Sequence, residues 1–142
     1  MMDSSIFKSY DIRGIYPDQL NEDTAFEIGR AFVKYKGAKS VAVGHDARIS
    51  SPALSEALME GLLSAGAKVL NIGRVPTECL YFAAANYDFD AGIMVTASHN
   101  PKEYNGFKMV AKNDRQVEFI IGKNLITFID NSLSYNKYDK SG

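Results

Sequence analysis

The sequence predicts an α/β fold, a three-layer α/β/α domain around a mixed, mostly parallel sheet. Two observations carry that expectation. Short apolar runs bounded by Gly, Asn or Asp alternate with longer stretches whose apolar residues recur at helical spacing. Such alternation is the signature of strand–helix–strand units, with helices covering both faces of a parallel sheet. One gap breaks the rule. Only the nine residues from Ala97 to Asn105 separate AGIMVT from GFKMVA. That is too short for a crossover helix, so this pair is expected to be antiparallel and the sheet mixed.

The elements follow in order. KSYDIRGIY reads as a strand interrupted at Gly14. From Asn21 to Lys36, the residues Ala25, Ile28, Phe32 and Tyr35 recur at helical spacing, and Gly37 is a plausible stop. SVAVG, Ser40 to Gly44, reads as a buried strand. A helix then opens with Ser51 as the cap and Pro52 in its first position. Leu54, Leu58, Leu62 and Ala65 form its apolar face, and Gly66 ends it. KVLNIG, Lys68 to Gly73, reads as another buried strand, followed by a helix from Thr77 to Tyr87. AGIMVT (Ala91 to Thr96) and GFKMVA (Gly106 to Ala111) complete the sheet. A fourth helix is expected over much of Phe119 to Leu133, with QVEF before it open to an extended reading. The polar tail, about 134–142, is expected to fray. Residues 1–142 are read as one domain.

Composition narrows the function. Sixteen basic and seventeen acidic side chains leave a formal net charge of -1, without the basic excess of a nucleic-acid footprint. No apolar stretch is long enough to cross a bilayer, and the first residues, MMDSSIFKSYDIRG, do not read as a signal peptide. With Cys79 as the one cysteine, neither an intrachain disulfide nor a Cys-based zinc site can form. A soluble, reducing compartment follows, most simply the cytoplasm.

In open α/β sheets ligands gather at the carboxyl ends of the strands. Here HDARIS follows SVAVG, RVPT follows KVLNIG, TASHNP follows AGIMV, and Arg13-Gly14 follows YDI. Three arginines, two histidines and a serine thus share one rim, which suits an anion such as phosphate. Each residue also has a plainer reading. On the hexapeptide alone, Thr96, Ser98 and Asn100 are better read as bonding to local backbone in a turn. Asp46 and Arg48 could be an exposed pair of little worth, and Arg13 could solvate a turn. Arg74 reads as surface, His45 as rim decoration or as support for its neighbours, and Lys108 as a strand residue facing water. DFD, Asp88 to Asp90, precedes a strand and reads as a connecting turn rather than a metal site. The glycines make no Walker-type loop, and TASHN lacks the Gly-x-Ser-x-Gly of a hydrolase elbow.

Ordered motifs decide between these readings. FKSYDIRG, VGHDARISSPAL, VPTE and TASHNP with its continuation YNGFK together resemble the first domain of the α-D-phosphohexomutase family, the phosphoglucomutases and phosphomannomutases. The resemblance runs from about Phe7 to Ala111. The SYDIRG form is closer to the bacterial-type phosphomannomutase/phosphoglucomutase branch than to the phosphoglucosamine branch.

The resemblance implies that Ser98 is carried as a phosphoserine. Its phosphoryl group passes to a hexose phosphate, giving a bisphosphorylated sugar that returns its other phosphoryl group. The Ser98 phosphate would also give an oxygen to Mg²⁺. His99, Asn100 and Lys108 match active-site positions that orient and stabilise the transferring group, with Lys108 a candidate in proton transfer. Tyr10 and Arg13 match the N-terminal active-site pair, and Arg13 would hold phosphate or assist proton movement. Arg48 is assigned to phosphate binding. The family has four domains; its metal loop, sugar-selecting loop and terminal phosphate-binding loop have no match here. The expectation is therefore an N-terminal fragment of a mutase, inactive alone, whose partners are hexose phosphates and the remaining domains. The rival expectation is a free-standing module that binds sugar phosphate or accepts phosphate without turnover.

Overall fold

The computed structural model describes residues 2–113, 116–129 and 135. Its elements are β1 (Ile12–Ile15), α1 (Glu22–Lys36), β2 (Ser40–His45), α2 (Ser51–Ser64), β3 (Lys68–Arg74), α3 (Thr77–Asn86), β4 (Ala91–Val95), β5 (Tyr104–Asn113) and β6 (Gln116–Phe119). Two 3₁₀ segments, Ser4–Ile6 and Gly122–Phe128, flank them.

Helix α1 starts and stops where the sequence says it should. Asn21 and Thr24 exchange a capping box, and Gly37 takes a left-handed conformation that closes the last turn. Its inner face buries Phe26, Ile28 and Phe32 completely; each such side chain contributes about 1.5–3 kcal/mol on leaving water. Helix α2 crosses α1 at close range. A Cβ on Gly61 would lie 2.1 Å from the Phe26 carbonyl oxygen, and one on Gly29 would lie 2.5 Å from that of Leu58. Only glycine permits this approach, and it brings Leu54, Leu58 and Leu62 onto the sheet.

The sheet runs β1-β5-β4-β2-β3, with β6 also paired to β5. Strands β2, β3 and β4 are mutually parallel, whereas β5 is antiparallel to β4, β1 and β6. Hence β5 alone is reversed, and the other described strands share one direction. Odd positions 41, 43, 93, 95, 107 and 109 face α1 and α2 in the main core, while Ala42 and Met94 meet Leu80 of α3 in a smaller one. This is the three-layer sandwich with a mixed sheet that the alternation predicts.

Several details differ from expectation. β1 is not broken at Gly14, which pairs with Asn105. β3 is not buried. It is an edge strand, and Leu70 is 45% exposed. Ser51 does not cap α2; Ser50 occupies that position without a side-chain capping bond, and Ser51 is used elsewhere. QVEF is strand β6. The segment expected as a fourth helix is a 3₁₀ turn from Gly122 to Phe128; its further reach, and residues 134–142 apart from Tyr135, lie outside the described residues. No described helix is long and apolar enough to cross a membrane.

Candidate active site

The carboxyl ends of β2 and β4 lie side by side, with His45 opposite Val95. The chain leaving β2 supplies Asp46 and Arg48, and the chain leaving β4 supplies Thr96 to Pro101. These two loops are tied together by Arg48. Its Nη1 donates to the carbonyl oxygens of Pro101 at 2.7 Å and Tyr104 at 3.1 Å. Its Nη2 donates to those of Ser98 at 2.9 Å and Asn100 at 2.8 Å. Its Nε donates to Asp46 Oδ2 at 3.2 Å. A guanidinium has five N–H donors, and all five are engaged.

Asp46 is the counterweight. It accepts from the Arg48 N–H, from Ser51 Oγ and from Thr96 Oγ1. Thr96 Oγ1 in turn accepts from the Ser98 N–H at 3.0 Å. The buried Asn105 donates to Ser50 and Ser51, locking the start of β5 to the start of α2. The sequence expectation of an exposed, nearly worthless Asp46–Arg48 pair is thus corrected: both side chains are mostly buried and shared among three segments.

This network explains the backbone of Ser98. Its φ is 57°, a left-handed conformation that costs a non-glycine residue roughly 1–2 kcal/mol. A single hydrogen bond to a charged donor contributes about 1.5–3 kcal/mol, and Ser98 has one on its carbonyl plus a bond on its N–H. The conformation is therefore held from both sides, and it leaves Ser98 and His99 exposed at the tip of the loop. Asn100 folds back, its Nδ2 donating to the Ala97 carbonyl at 2.7 Å.

Arg48 cannot act as expected. The reading of Arg48 as a phosphate ligand fails in this arrangement, because none of its donors is left to meet an anion. It shapes the loop instead.

Arg13 and Lys108 sit further into the sheet. Arg13 is opposite Gly106, and Lys108 is opposite Met94. Because strand side chains alternate, positions 106 and 108 share a face, and Met94 places that face on the α3 side. Arg13 Nε bonds the largely buried Asp11 at 3.0 Å. Tyr81 of α3 reports the same neighbourhood: burial, then the charges of Glu78 and Asp11, hold its hydroxyl above the usual range. Lys108 is half-buried, not a solvated strand residue.

Tyr10 is 77% exposed. It lines, with Arg13, an open cleft of about 500 Å³. A narrower cavity of about 270 Å³ adjoins it, lined by Arg13 and by Asn100 of the serine loop. Arg13 therefore shares one cavity with Tyr10 and the other with Asn100. The structure also adds Lys8, which lies within FKSYDIRG but has no role assigned there, and Lys123, which no sequence motif singles out. At the opposite end of the sheet, Asp90 accepts from the N–H groups of Lys39 and Ser40, so DFD is a turn.

No group of three or more metal-ligating side chains occurs among the described residues, and Asp46 is already saturated by Arg48, Ser51 and Thr96. The described residues do not fit a complete octahedral Mg²⁺ site.

Comparison with known proteins meets this geometry. The family model described as phosphoglucomutase/phosphomannomutase, alpha/beta/alpha domain I, matches residues 4–134. A phosphomannomutase of Salmonella typhimurium is 50% identical over 111 residues, covering 78% of this chain and 24% of that protein. A phosphoglucomutase of Neisseria gonorrhoeae is 49% identical over 112 residues, covering 77% of this chain and 24% of that protein. The crystal structure of a phosphoglucomutase/phosphomannomutase family protein from Burkholderia thailandensis superposes with a TM-score of 0.80 at 42% identity, over 90% of this chain and 30% of that one. The chain thus spans about a quarter of the length of these two curated relatives. It belongs to the phosphoglucomutase/phosphomannomutase family, in which it corresponds to the α/β/α domain I.

Proposed function

We propose that this chain is the phosphoserine-bearing domain of a mutase that interconverts hexose 1-phosphate and hexose 6-phosphate. The observation that carries this reading is Ser98 itself: an exposed hydroxyl, in a left-handed turn, on a loop gripped at four carbonyl oxygens by one guanidinium. Phosphoryl transfer asks the protein chiefly for position and charge. In the forward half-reaction the P–Oγ bond of phospho-Ser98 breaks and a bond forms to a sugar hydroxyl oxygen, whose proton leaves to a base. The bisphosphorylated sugar then turns over, and its other phosphoryl group returns to Ser98.

His99 and Asn100 orient the transferring group, Lys108 takes part in moving the proton, and Arg13 with Tyr10 holds phosphate. Mg²⁺ offsets the charge that phosphoserine brings, about −1.5 to −2 at neutral pH; its remaining ligands would come from outside the described residues. The working enzyme on this reading is cytoplasmic, and residues 1–142 make one domain that needs others for turnover.

A domain exchange tests the reading. Residues 4–111 replace the matching segment of the Salmonella typhimurium phosphomannomutase, and hexose 1-phosphate conversion is followed. The chimera should turn over, and the 142-residue chain alone should not. A folded but inert chimera, or robust turnover by the isolated chain, contradicts the assignment. Phosphate accepted on Ser98 by the isolated chain without turnover would favour the phosphoacceptor module instead.

A further inference from the structure

We propose that Thr96 is a positioning residue for phosphoryl transfer at Ser98: its hydroxyl, turned by Asp46, holds the Ser98 N–H inward and leaves the Ser98 side chain to meet the ligand. This rests on the mutase reading and gives a part in it to a residue that touches no substrate. Thr96 is only 3% exposed, so it acts through Ser98.

The direction of each hydrogen follows from what the groups can do. A carboxylate only accepts, so the single hydroxyl hydrogen of Thr96 goes to Asp46 Oδ2, at 2.7 Å. The Thr96 oxygen is left with acceptor capacity alone, and the Ser98 N–H fills it at 3.0 Å. Asp46 is not free to turn away. Its Oδ1 accepts from Ser51 Oγ at 2.5 Å and from the Arg48 N–H at 3.0 Å, and its Oδ2 also accepts from Arg48 Nε at 3.2 Å. Four donors thus converge on its two oxygens and fix the carboxylate. The backbone beneath is equally tied. The Thr96 N–H bonds the Gly106 carbonyl at 2.9 Å, and the Asp46 N–H bonds the Val95 carbonyl at 3.1 Å. The pin on Ser98 therefore stands on β2, β4 and β5 together.

This arrangement separates the Ser98 backbone from its side chain. Arg48 holds the carbonyl and Thr96 holds the N–H, both toward the protein, while the residue itself is exposed. An amide has one hydrogen, so a phosphoryl group on Oγ cannot also take it. Without the Thr96 hydroxyl that hydrogen is released. A phosphoryl oxygen would then be the strongest acceptor beside it, since bonds to an ionised acceptor are about twice as strong as neutral ones. The phosphoryl group would fold back onto its own amide instead of facing an incoming sugar oxygen, and small misplacements of a reacting group are costly in rate. Arg48 grips four carbonyls along the loop; Thr96 controls one N–H, at the residue that reacts. Its influence falls on transfer, not on substrate binding.

The test sets Thr96→Val, which keeps the shape and removes the hydroxyl, beside Thr96→Ser, which keeps the hydroxyl. In the unaltered 142-residue chain, the Ser98 amide should exchange with solvent about tenfold more slowly than an unprotected amide. Thr96→Val should abolish that protection and Thr96→Ser should retain it. In the working chimera, Thr96→Val should lower kcat about tenfold with KM within about twofold, and Thr96→Ser should restore kcat to within about threefold. With ¹⁵N-serine labelling of the phosphorylated chimera, the Ser98 amide signal should follow the second phosphate ionisation, near pH ~6, in Thr96→Val but not in the native protein. Equal rates for the two variants, or a loss confined to KM, overturn the positioning role. An unprotected Ser98 amide in the unaltered chain overturns the pin itself, and that measurement decides even if Thr96→Val does not fold. Protection that depends on the Thr96 hydroxyl, with an inert chimera, would sink the mutase reading and leave the pin standing; an active chimera indifferent to Thr96→Val would do the reverse.

Discussion

The serine loop and the cleft of Tyr10 and Arg13 adjoin one another, yet their charges are arranged in opposite ways. Around the loop, the Arg48 donors end on protein acceptors, and Asp46 answers the charge. In the cleft, Lys8, Lys123 and the outer nitrogens of Arg13 meet no carboxylate within salt-bridge distance among the described residues. The first arrangement is self-satisfied and fixes shape. The second is unsatisfied and invites a ligand. An arginine near a phosphoryl site is thus not automatically a phosphate ligand: its donors must be counted before a role is assigned.

The largest expected effect comes from the reactive atom. In the active chimera, Ser98→Ala should lower the rate by about a thousandfold or more, because the group proposed to carry the phosphoryl is removed. Ser64→Ala is the control. Ser64 bonds only the Gly61 carbonyl at the end of α2, and its loss should leave the rate within about twofold, as for most substitutions away from a site.

Arg48→Lys separates shaping from binding. An ammonium keeps the charge but cannot reach four carbonyl oxygens in one plane. Amides from Ala97 to Asn105 should exchange about tenfold faster or more, given about 0.5–1.5 kcal/mol for each lost bond. The phosphate affinity of the cleft should stay unchanged. If the loop keeps its protection, Arg48 is not what holds it.

Gly122→Ala does the converse. The added Cβ collides with the Asp11 carbonyl and displaces Lys123, at a cost of about 1–3 kcal/mol in denaturant unfolding. Phosphate binding in the cleft should weaken while exchange in the serine loop stays as it was. Faster exchange in both would show that the two regions are one cooperative unit.

The smallest effect lies at high pH. The Tyr16 hydroxyl donates to Glu22, and this bond first, then burial and the carboxylate charge, raises its pKa from 10.0 to about 12. Folding therefore retains a phenol proton that the unfolded chain loses. The contribution is complete below about pH 10 and disappears as pH climbs through about 12. The melting temperature of the native chain should fall more steeply over that window than that of Tyr16→Phe. Parallel curves would remove Tyr16 from the account.

Much of this was legible before any coordinates. Asn21 and Gly37 announce α1 because caps are local chemistry. The nine-residue gap after AGIMVT announces the reversed strand, because loop length limits topology. TASHNP stands at a strand end, where α/β sheets bind ligands. What stayed hidden is long-range. Arg48 reaches carbonyls some fifty positions away, and no local pattern encodes an acceptor that is backbone. Lys123 enters the cleft only because Gly122 seats on the turn that the Lys8 N–H closes on the Asp11 carbonyl. KVLNIG is as apolar as a central strand, yet it lies at an edge, since composition does not say which strand has no neighbour.

The most direct measurement is phosphate mapping on the working chimera. The enzyme is incubated with a bisphosphorylated hexose and Mg²⁺, quenched, and its phosphopeptides are sequenced by mass spectrometry. The account predicts phosphate on Ser98, lost when excess hexose monophosphate is added and absent from Ser98→Ala. Phosphate found instead on Ser50, Ser51 or Thr96, or turnover with Ser98 never modified, would contradict it.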